Sequence, residues 1–312
     1  MFSIKVFGDT AKHDGRGRPQ IGLSCLFDVL NRVFIDVNTA SCKFNERTEA
    51  LAQIEQTSEV TGDKQCIYLF DRGYPSGEFF LDLMERKVNF LVRLGSVSFK
   101  REQRGMDADD CMVNIVFDKT RTGACKKEES AQRLALAGSI QLRFVRVALK
   151  NGDTEFLATN ISEDLFKTED IGNLYRMRWG IETVFDDLKN KLQIENFTGE
   201  KPIIIEQDIF ATIYLSNIIN DIMQDIAAER AGKDVQCRKH DMQLNRNIAI
   251  GIIKEDLIFV LLEKRHSRKC AIMESIIEEI ERNILPVRPN RVFSRSCGKL
   301  ASKYSNPRKY SF

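Results

Sequence analysis

Between positions 175 and 189 the chain reads Tyr-Arg-Met-Arg-Trp-Gly-Ile-Glu-Thr-Val-Phe-Asp-Asp-Leu-Lys, and Tyr175, Arg178, Glu182 and Lys189 stand out by type and spacing. Arginine offers a fork of donors that matches a phosphate, and lysine a compact point charge. Tyrosine can hydrogen-bond a phosphate or stack near a base. On a regular helix turning by about 100° per residue, the four fall within roughly 60° of one another and share one face. Arg178 and Glu182 are then an i,i+4 pair able to touch. Spacing alone leaves two readings open. One is an anion-contacting face carrying a single acid. The other is a solvated face with an ordinary ion pair worth about a few tenths of a kcal/mol. A tyrosine on the face and the chain's only tryptophan at its edge weigh against pure solvation, but one carboxylate does not make a site.

The elements that must position these residues are legible in outline. Residues 167–193 are strongly helical in pattern, 203–229 form a second long helix, and 245–264 and 268–283 add two more. Upstream, Ile21–Leu30 and Val33–Val37 read as a β-hairpin with its turn near Asp28–Asn31. Lys43–Gln56 has a helical pattern. The compact apolar run Gln65–Phe70 ends at Asp71-Arg72-Gly73-Tyr74-Pro75-Ser76, which predicts a buried strand whose tip presents Asp71. Ser76 is placed to cap a helix over 76–87, and Asn89–Leu94 is a further strand. Taken alone, Asp71 is equally a turn residue capping that helix. Between about 95 and 160 short β-like runs (112–117, 140–149, 154–159) are separated by polar stretches, and Asn151-Gly152 suits a tight reversal. The whole is an α/β pattern: a ribonuclease-H-like core interrupted by a β-rich insertion, with a helical C-terminal region and a basic tail. The predicted divisions are 1–95 (first part of the core), 96–160 (insertion), 161–230 (second part, with the catalytic helix) and 231–312.

The spacing Tyr-x2-Arg-x3-Glu-x6-Lys resembles the signature of the IS4-type DDE transposases. Leu69–Ser76 is similar to that family's strand bearing its second catalytic aspartate, and Lys189–Gly199 to the segment after its catalytic helix. The resemblance covers about residues 1 to 225. It implies a ribonuclease-H-like core with a β-rich insertion, and DNA strand cleavage and transfer at the ends of an insertion element. It implies that Asp71 and Glu182 are catalytic acids holding Mg²⁺ (or Mn²⁺), and that Tyr175, Arg178 and Lys189 contact DNA ends. The implied partner is duplex DNA with terminal inverted repeats, bound by a homodimer. Such chemistry is an in-line displacement at phosphorus, for which carboxylates holding hard cations suffice without a nucleophilic side chain.

One departure from the family is plain. Its first aspartate sits in an Asp-Gly-Ser/Thr strand well upstream of the hairpin, whereas here six residues precede Phe7. Asp14-Gly15 runs into Arg-Gly-Arg-Pro and Asp9 lies in a loop-like stretch, while Asp28 and Asp36 read as turn and strand-edge residues. This predicts a transposase lacking its amino-terminal part, which binds DNA with little or no Mg²⁺-dependent cleavage. The alternatives are a catalytically inactive DNA-binding remnant and a ribonuclease-H-like nuclease unrelated to transposition.

Composition narrows the field further. The chain has 312 residues, 47 Lys and Arg against 45 Asp and Glu, and 43% hydrophobic residues, which excludes a disordered chain. No apolar run approaches the ~20 residues of a membrane span, and Met1–Lys5 lacks a secretory layout. A cytoplasmic, nucleoid-associated protein is expected, with no membrane partner. After Glu281 no acid follows, while Arg282, Arg288, Arg291, Arg295, Lys299, Lys303, Arg308 and Lys309 do. That tail suits a polyanion or merely solubilises. The eight cysteines form no C-x-x-C pair and the three histidines are not spaced as zinc ligands, so a structural zinc site is disfavoured.

Overall fold

The computed structural model describes residues 2–5, 12–13, 19–41, 45–61, 66–125, 127–149, 152–231 and 241–287. Asp9, Asp14, the turn residues 150–151 and the basic stretch beyond 287 lie outside the described residues. The chain forms two compact units, Met1–Lys43 with Ile181–Phe312, and Phe44–Gly180. No helix among the described residues is long and apolar enough to cross a membrane.

The first unit opens with β1 (Phe2–Lys5), β2 (Lys12–His13), β3 (Pro19–Asp28) and β4 (Val33–Ser41). β3 is the centre of this sheet and runs antiparallel to the other three. The β3–β4 hairpin is the one expected from its β-branched and aromatic runs. Asp28 builds its turn: Oδ1 accepts the Leu30 amide at 2.8 Å and the Asn31 amide at 3.0 Å. Asp28 thus serves the turn, and Asp36 stands opposite Leu26 within β4.

The second unit begins with α1 (Glu46–Gln56), α2 (Ser58–Thr61), β5 (Ile67–Phe70), α3 (Gly77–Glu85) and β6 (Asn89–Leu94). It continues with α4 (Lys100–Arg104), β7 (Asp110–Val116), α5 (Lys119–Gly123), α6 (Glu128–Ala137), β8 (Ser139–Ala148), β9 (Thr154–Thr159) and α7 (Thr168–Arg176). Its five strands form one mixed sheet in the order β5-β6-β9-β8-β7, with only β5 and β6 parallel. The β-rich stretch read between 95 and 160 therefore continues the β5–β6 sheet, and its polar intervals are the helices α4, α5 and α6. The reason is burial. Leu142, Phe144, Val145, Leu157 and Ala158 alternate with few polar residues and are fully buried, so β8 and β9 need cover on both faces and take a central place.

An ion pair ties this sheet to α7. Arg143 donates from Nε to Asp110 Oδ1 at 2.7 Å, and Arg143 and Thr168 both donate to Asp110 Oδ2. Burial pushes the Asp110 carboxyl up, but the hydrogen bonds from Arg143 and Thr168 and the arginine's charge outweigh it, holding the group below the usual carboxylate range. A depressed carboxyl stabilises the fold above its unfolded pKa and loses that contribution as the pH falls through its folded one. Acid unfolding followed by circular dichroism below about pH 4 is therefore expected to be less steep in Asp110→Asn than in the parent chain.

After α7 the first unit resumes with α8 (Trp179–Asn190), α9 (Pro202–Ala231), β10 (Met242–Leu244), α10 (Arg246–Leu262), α11 (His266–Arg282) and β11 (Ile284–Pro286). Its core packs Leu23 and Phe34 of the hairpin with Val184, Phe185 and Leu188 of α8 and the isoleucines of α9, α10 and α11. The Phe34 and Phe185 rings meet edge-on at 5.9 Å. Side-chain amides of α9 staple the start of β4 and the turn before it. Asn217 Oδ1 accepts the Phe34 amide at 2.8 Å and its Nδ2 donates to the Phe34 carbonyl at 2.9 Å, Asn220 Nδ2 donates to the Arg32 carbonyl at 2.6 Å, and Gln224 donates to the Asn31 carbonyl. Positions 217, 220 and 224 lie on one helical face. Cys25 lies against this core, where burial pushes its thiol well up. Cys25, Cys111, Cys125 and Cys270 are free thiols, while Cys42, Cys237 and Cys297 lie outside the described residues.

Candidate functional site

Asp71 stands where the sequence placed it, immediately past the carboxyl end of β5. The apolar strand Ile67–Phe70 is held by its parallel partner β6, and the chain must reverse to enter α3. Asp71 makes that reversal: Oδ1 accepts the Gly73 amide at 2.6 Å and its carbonyl accepts the Tyr74 amide at 3.2 Å. Ser76, not Asp71, caps α3, its Oγ accepting the Phe79 amide at 3.1 Å. The rings of Phe70, Tyr74 and Phe79 pack behind the loop, with centroids 5.0 to 5.7 Å apart. Arg47 braces its outer side, Nη2 donating to the carbonyls of Gly73 at 3.1 Å and Pro75 at 3.4 Å. The carboxylate of Glu46 faces the same glycine. Asp71 is half-buried on a rigid strand end, and among the described residues no hydrogen bond takes its second oxygen. A carboxylate so placed suits a hard cation.

The signature itself is split. The pattern predicted one helix over 167–193, but the structure has two, α7 ending at Arg176 and α8 starting at Trp179. At the join the backbone tightens to i→i−3 bonds: the amides of Met177, Arg178 and Gly180 reach the carbonyls of Leu174, Tyr175 and Met177. Such a tight turn shifts the angular phase, so a single helical wheel does not carry Tyr175 and Arg178 through to Glu182 and Lys189. The division between the two units falls at the same place, leaving Asp71, Tyr175 and Arg178 in the second unit and Glu182 and Lys189 in the first.

Tyr175 is 2% exposed and lies in a cluster with Leu91, Val145, Leu157 and Ile171. Burial pushes its hydroxyl up to about 12, the Arg178 charge pulling the other way. The guanidinium of Arg178 lies 5.6 Å from the centre of the Tyr175 ring and 5.7 Å from that of Trp179, which is itself half exposed. Two aromatic faces thus hold one cation. The ring of Tyr175 does the packing, so Tyr175→Ala is expected to cost about 3–5 kcal/mol of stability by urea denaturation. Tyr175→Phe, which keeps the ring, should cost about 1 kcal/mol or less by the same measurement, because among the described residues its buried hydroxyl has no hydrogen-bond partner to lose.

Glu182 lies in the first turn of α8, half-buried. Thr183 beside it accepts a hydrogen bond from Arg32 Nη2 at 3.3 Å. Lys189 ends the helix in an ion pair with Glu195 at 3.0 Å. Neighbouring acids have other employment. Asp186 accepts from Asn190 Nδ2 at 2.6 Å, and Asp187 is buried between Arg246 and Lys191. Among the described residues no group of three or more His, Cys, Asp or Glu side chains gathers as a metal nest. Sequence reasoning passed over Glu46, Arg47, Arg32 and Arg246. The signal available for Glu46 and Arg47 was their place at the start of the helix over 43–56, and none marked the other two.

Comparison with known proteins sets this geometry in context. The family described as "Transposase DDE domain" matches residues 2–218. The chain is 23% identical over 297 residues to the transposase InsG for insertion sequence element IS4 of Escherichia coli, covering 94% of this chain and 63% of that protein. It is 32% identical over 81 residues to the transposase for insertion sequence element IS421 of Escherichia coli, covering 25% of this chain and 22% of the other. The chain thus spans less than two thirds of the length of InsG. Among solved structures it resembles the piggyBac transposase synaptic complex with hairpin DNA at a TM-score of 0.48 and 10% identity, over 88% of this chain and 56% of that one.

Proposed function

The chain belongs to the transposase DDE domain family, and from that premise we propose that it is the catalytic region of an insertion-sequence DNA transposase with a ribonuclease-H-like core. The observation that carries this reading is the match of the family model to residues 2–218, a span that holds both the strand-end Asp71 and the spacing Tyr175-x2-Arg178-x3-Glu182-x6-Lys189. Asp71 and Glu182 are the residues that would hold Mg²⁺ or Mn²⁺. Bound there, divalent ions would stabilise the attacking and leaving oxygens of an in-line displacement at phosphorus.

The chain's own residues do the rest. Arg178, fixed over two rings, offers its fork to a backbone phosphate, and Lys189 a point charge in the last turn of the same signature. Tyr175 acts through Arg178, as the packed base on which the guanidinium rests. The Asx turn at Asp71 holds that carboxylate in one rotamer, which spares the entropy of fixing it when a cation arrives. The partner is duplex DNA with terminal inverted repeats, and joining two element ends calls for a second copy of the chain.

A metal-dependent nicking assay on linear duplexes with and without terminal inverted repeats tests the reading. End-specific binding with at most weak end-specific nicking is expected, since the sequence offers Asp71 and Glu182 but no aspartate in the family's Asp-Gly-Ser/Thr setting. Cutting indifferent to ends would point to a nuclease unrelated to transposition, binding without cutting to a DNA-binding remnant, and absence of binding would overturn the reading altogether.

A further inference from the structure

Arg32 sits at the tip of the β3–β4 hairpin, in the first unit together with Glu182. Its backbone occupies the left-handed region at φ 54 and is pinned by the bond from Asn220 to its carbonyl. Its side chain is half-buried and reaches Thr183, the residue after Glu182, with one 3.3 Å hydrogen bond to a neutral hydroxyl.

The surroundings are unusual in charge. Asp187, 4% exposed, accepts from Lys191 on Oδ1 and from Arg246 on Oδ2, so both of its oxygens are taken. Arg246 is fixed further by Asn220 Oδ1 at 2.6 Å, the same amide that holds the Arg32 backbone. Arg32 feels both the Asp187 and the Arg246 charges. Burial and then Arg246 lower its affinity for its proton, while Asp187 acts the other way. Two cations thus contact Asp187, one on each oxygen, while Arg32 lies within the electrostatic reach of Asp187 and Arg246. A guanidinium has five N–H donors and no route to neutrality, so partial burial beside surplus positive charge leaves it best satisfied by an oxyanion.

We propose that Arg32 and Thr183 form a phosphodiester-binding site beside Glu182, in which the Arg32 fork takes a DNA-backbone phosphate and Arg246 and Lys191 supply the supporting positive field. The ligand is an anion with two adjacent oxygens, and the DNA backbone is the source that fits a hairpin tip neighbouring the signature helix. This deepens the reading given under Proposed function and rests on it.

The test is the affinity of the 312-residue chain for a linear duplex measured by fluorescence anisotropy across 50–200 mM salt, with Arg32→Asn, Arg32→Lys and Thr183→Val. Asparagine tolerates the left-handed backbone, and the bond to the carbonyl of residue 32 survives each change there. Arg32→Asn is expected to weaken binding about tenfold and to reduce the slope of log affinity against log salt by about 0.9, the signature of one lost phosphate contact. Arg32→Lys should keep the slope while losing part of the affinity, since charge remains and the fork does not. Thr183→Val should lower affinity less than Arg32→Asn and leave the slope unchanged. A parent chain that binds duplex while Arg32→Asn matches it in affinity and slope overturns this proposal alone. Equal weakening in Arg32→Asn and Arg32→Lys with a fallen melting temperature in both shows a structural role and also overturns it. A parent chain that binds no duplex brings down the functional reading as well.

Discussion

Glu182→Gln and Asp71→Asn are each expected to lower Mn²⁺ affinity at least about tenfold and to bring the chain's weak metal-dependent nicking down to background, while duplex affinity stays within about threefold. The reasoning separates two jobs. The amide replacing either carboxylate has the same shape, so packing is preserved; at position 71 the asparagine oxygen can still accept the Gly73 amide and keep the reversal intact. What the amide cannot do is bind a hard dication as a carboxylate does. Arg178 and Lys189, the proposed phosphate-contacting groups, are untouched, so binding should persist. Single-turnover nicking and anisotropy on the same duplex give the two readouts, and Mn²⁺ binding followed by electron paramagnetic resonance gives a third that needs no turnover. Nicking that survives either substitution at full rate would sink the assignment of these acids.

Asp187→Ala is expected to destabilise the first unit by about 3 kcal/mol, read as a shift in the urea midpoint. Asp187 is buried and accepts from both Arg246 and Lys191, so its removal leaves two cations facing each other with no counter-charge. The contrast is Lys189→Ala, where the partner pair with Glu195 has side chains only partly shielded from water; there the cost should stay below about 1 kcal/mol. Asp187→Ala also tests whether Asp187 serves the scaffold or the site. Asp186 and Asp187 lie close to Glu182 in sequence, yet one is engaged with Asn190 and the other in the cation cluster. A loss of nicking in Asp187→Ala that tracks the loss of folded protein marks Asp187 as a scaffold residue. A loss in chain that remains fully folded would contradict that.

Local features of the chain were readable without coordinates. The strand ending at Asp71, the Ser76 cap, the hairpin turn at Asp28 and the helices from Pro202 onward all follow from short-range rules of periodicity and capping, and the structure has them. The break at Met177-Arg178 was hidden because neither residue opposes helix and no proline marks it. Its cause is tertiary: Tyr175 is held in the core of one unit while Val184, Phe185 and Leu188 are buried in the core of the other. The union of β7, β8 and β9 with β5 and β6 was likewise invisible, since the joining pair, β6 with β9, links residues 62 to 68 positions apart (Leu94 with Phe156, Leu91 with Thr159) and leaves no local trace. The same holds for Arg32, Asp187 and Arg246, each commonplace in its own sequence neighbourhood and joined only through space.

The row of amides on α9 has an outcome of its own. A β-strand at the border of a sheet exposes a ladder of donors and acceptors that another molecule can extend. Here Asn217 takes both backbone groups of Phe34 near the start of β4, and Asn220 and Gln224 take the carbonyls of the turn just before it. A foreign strand is therefore denied its footing at the hairpin end of β4.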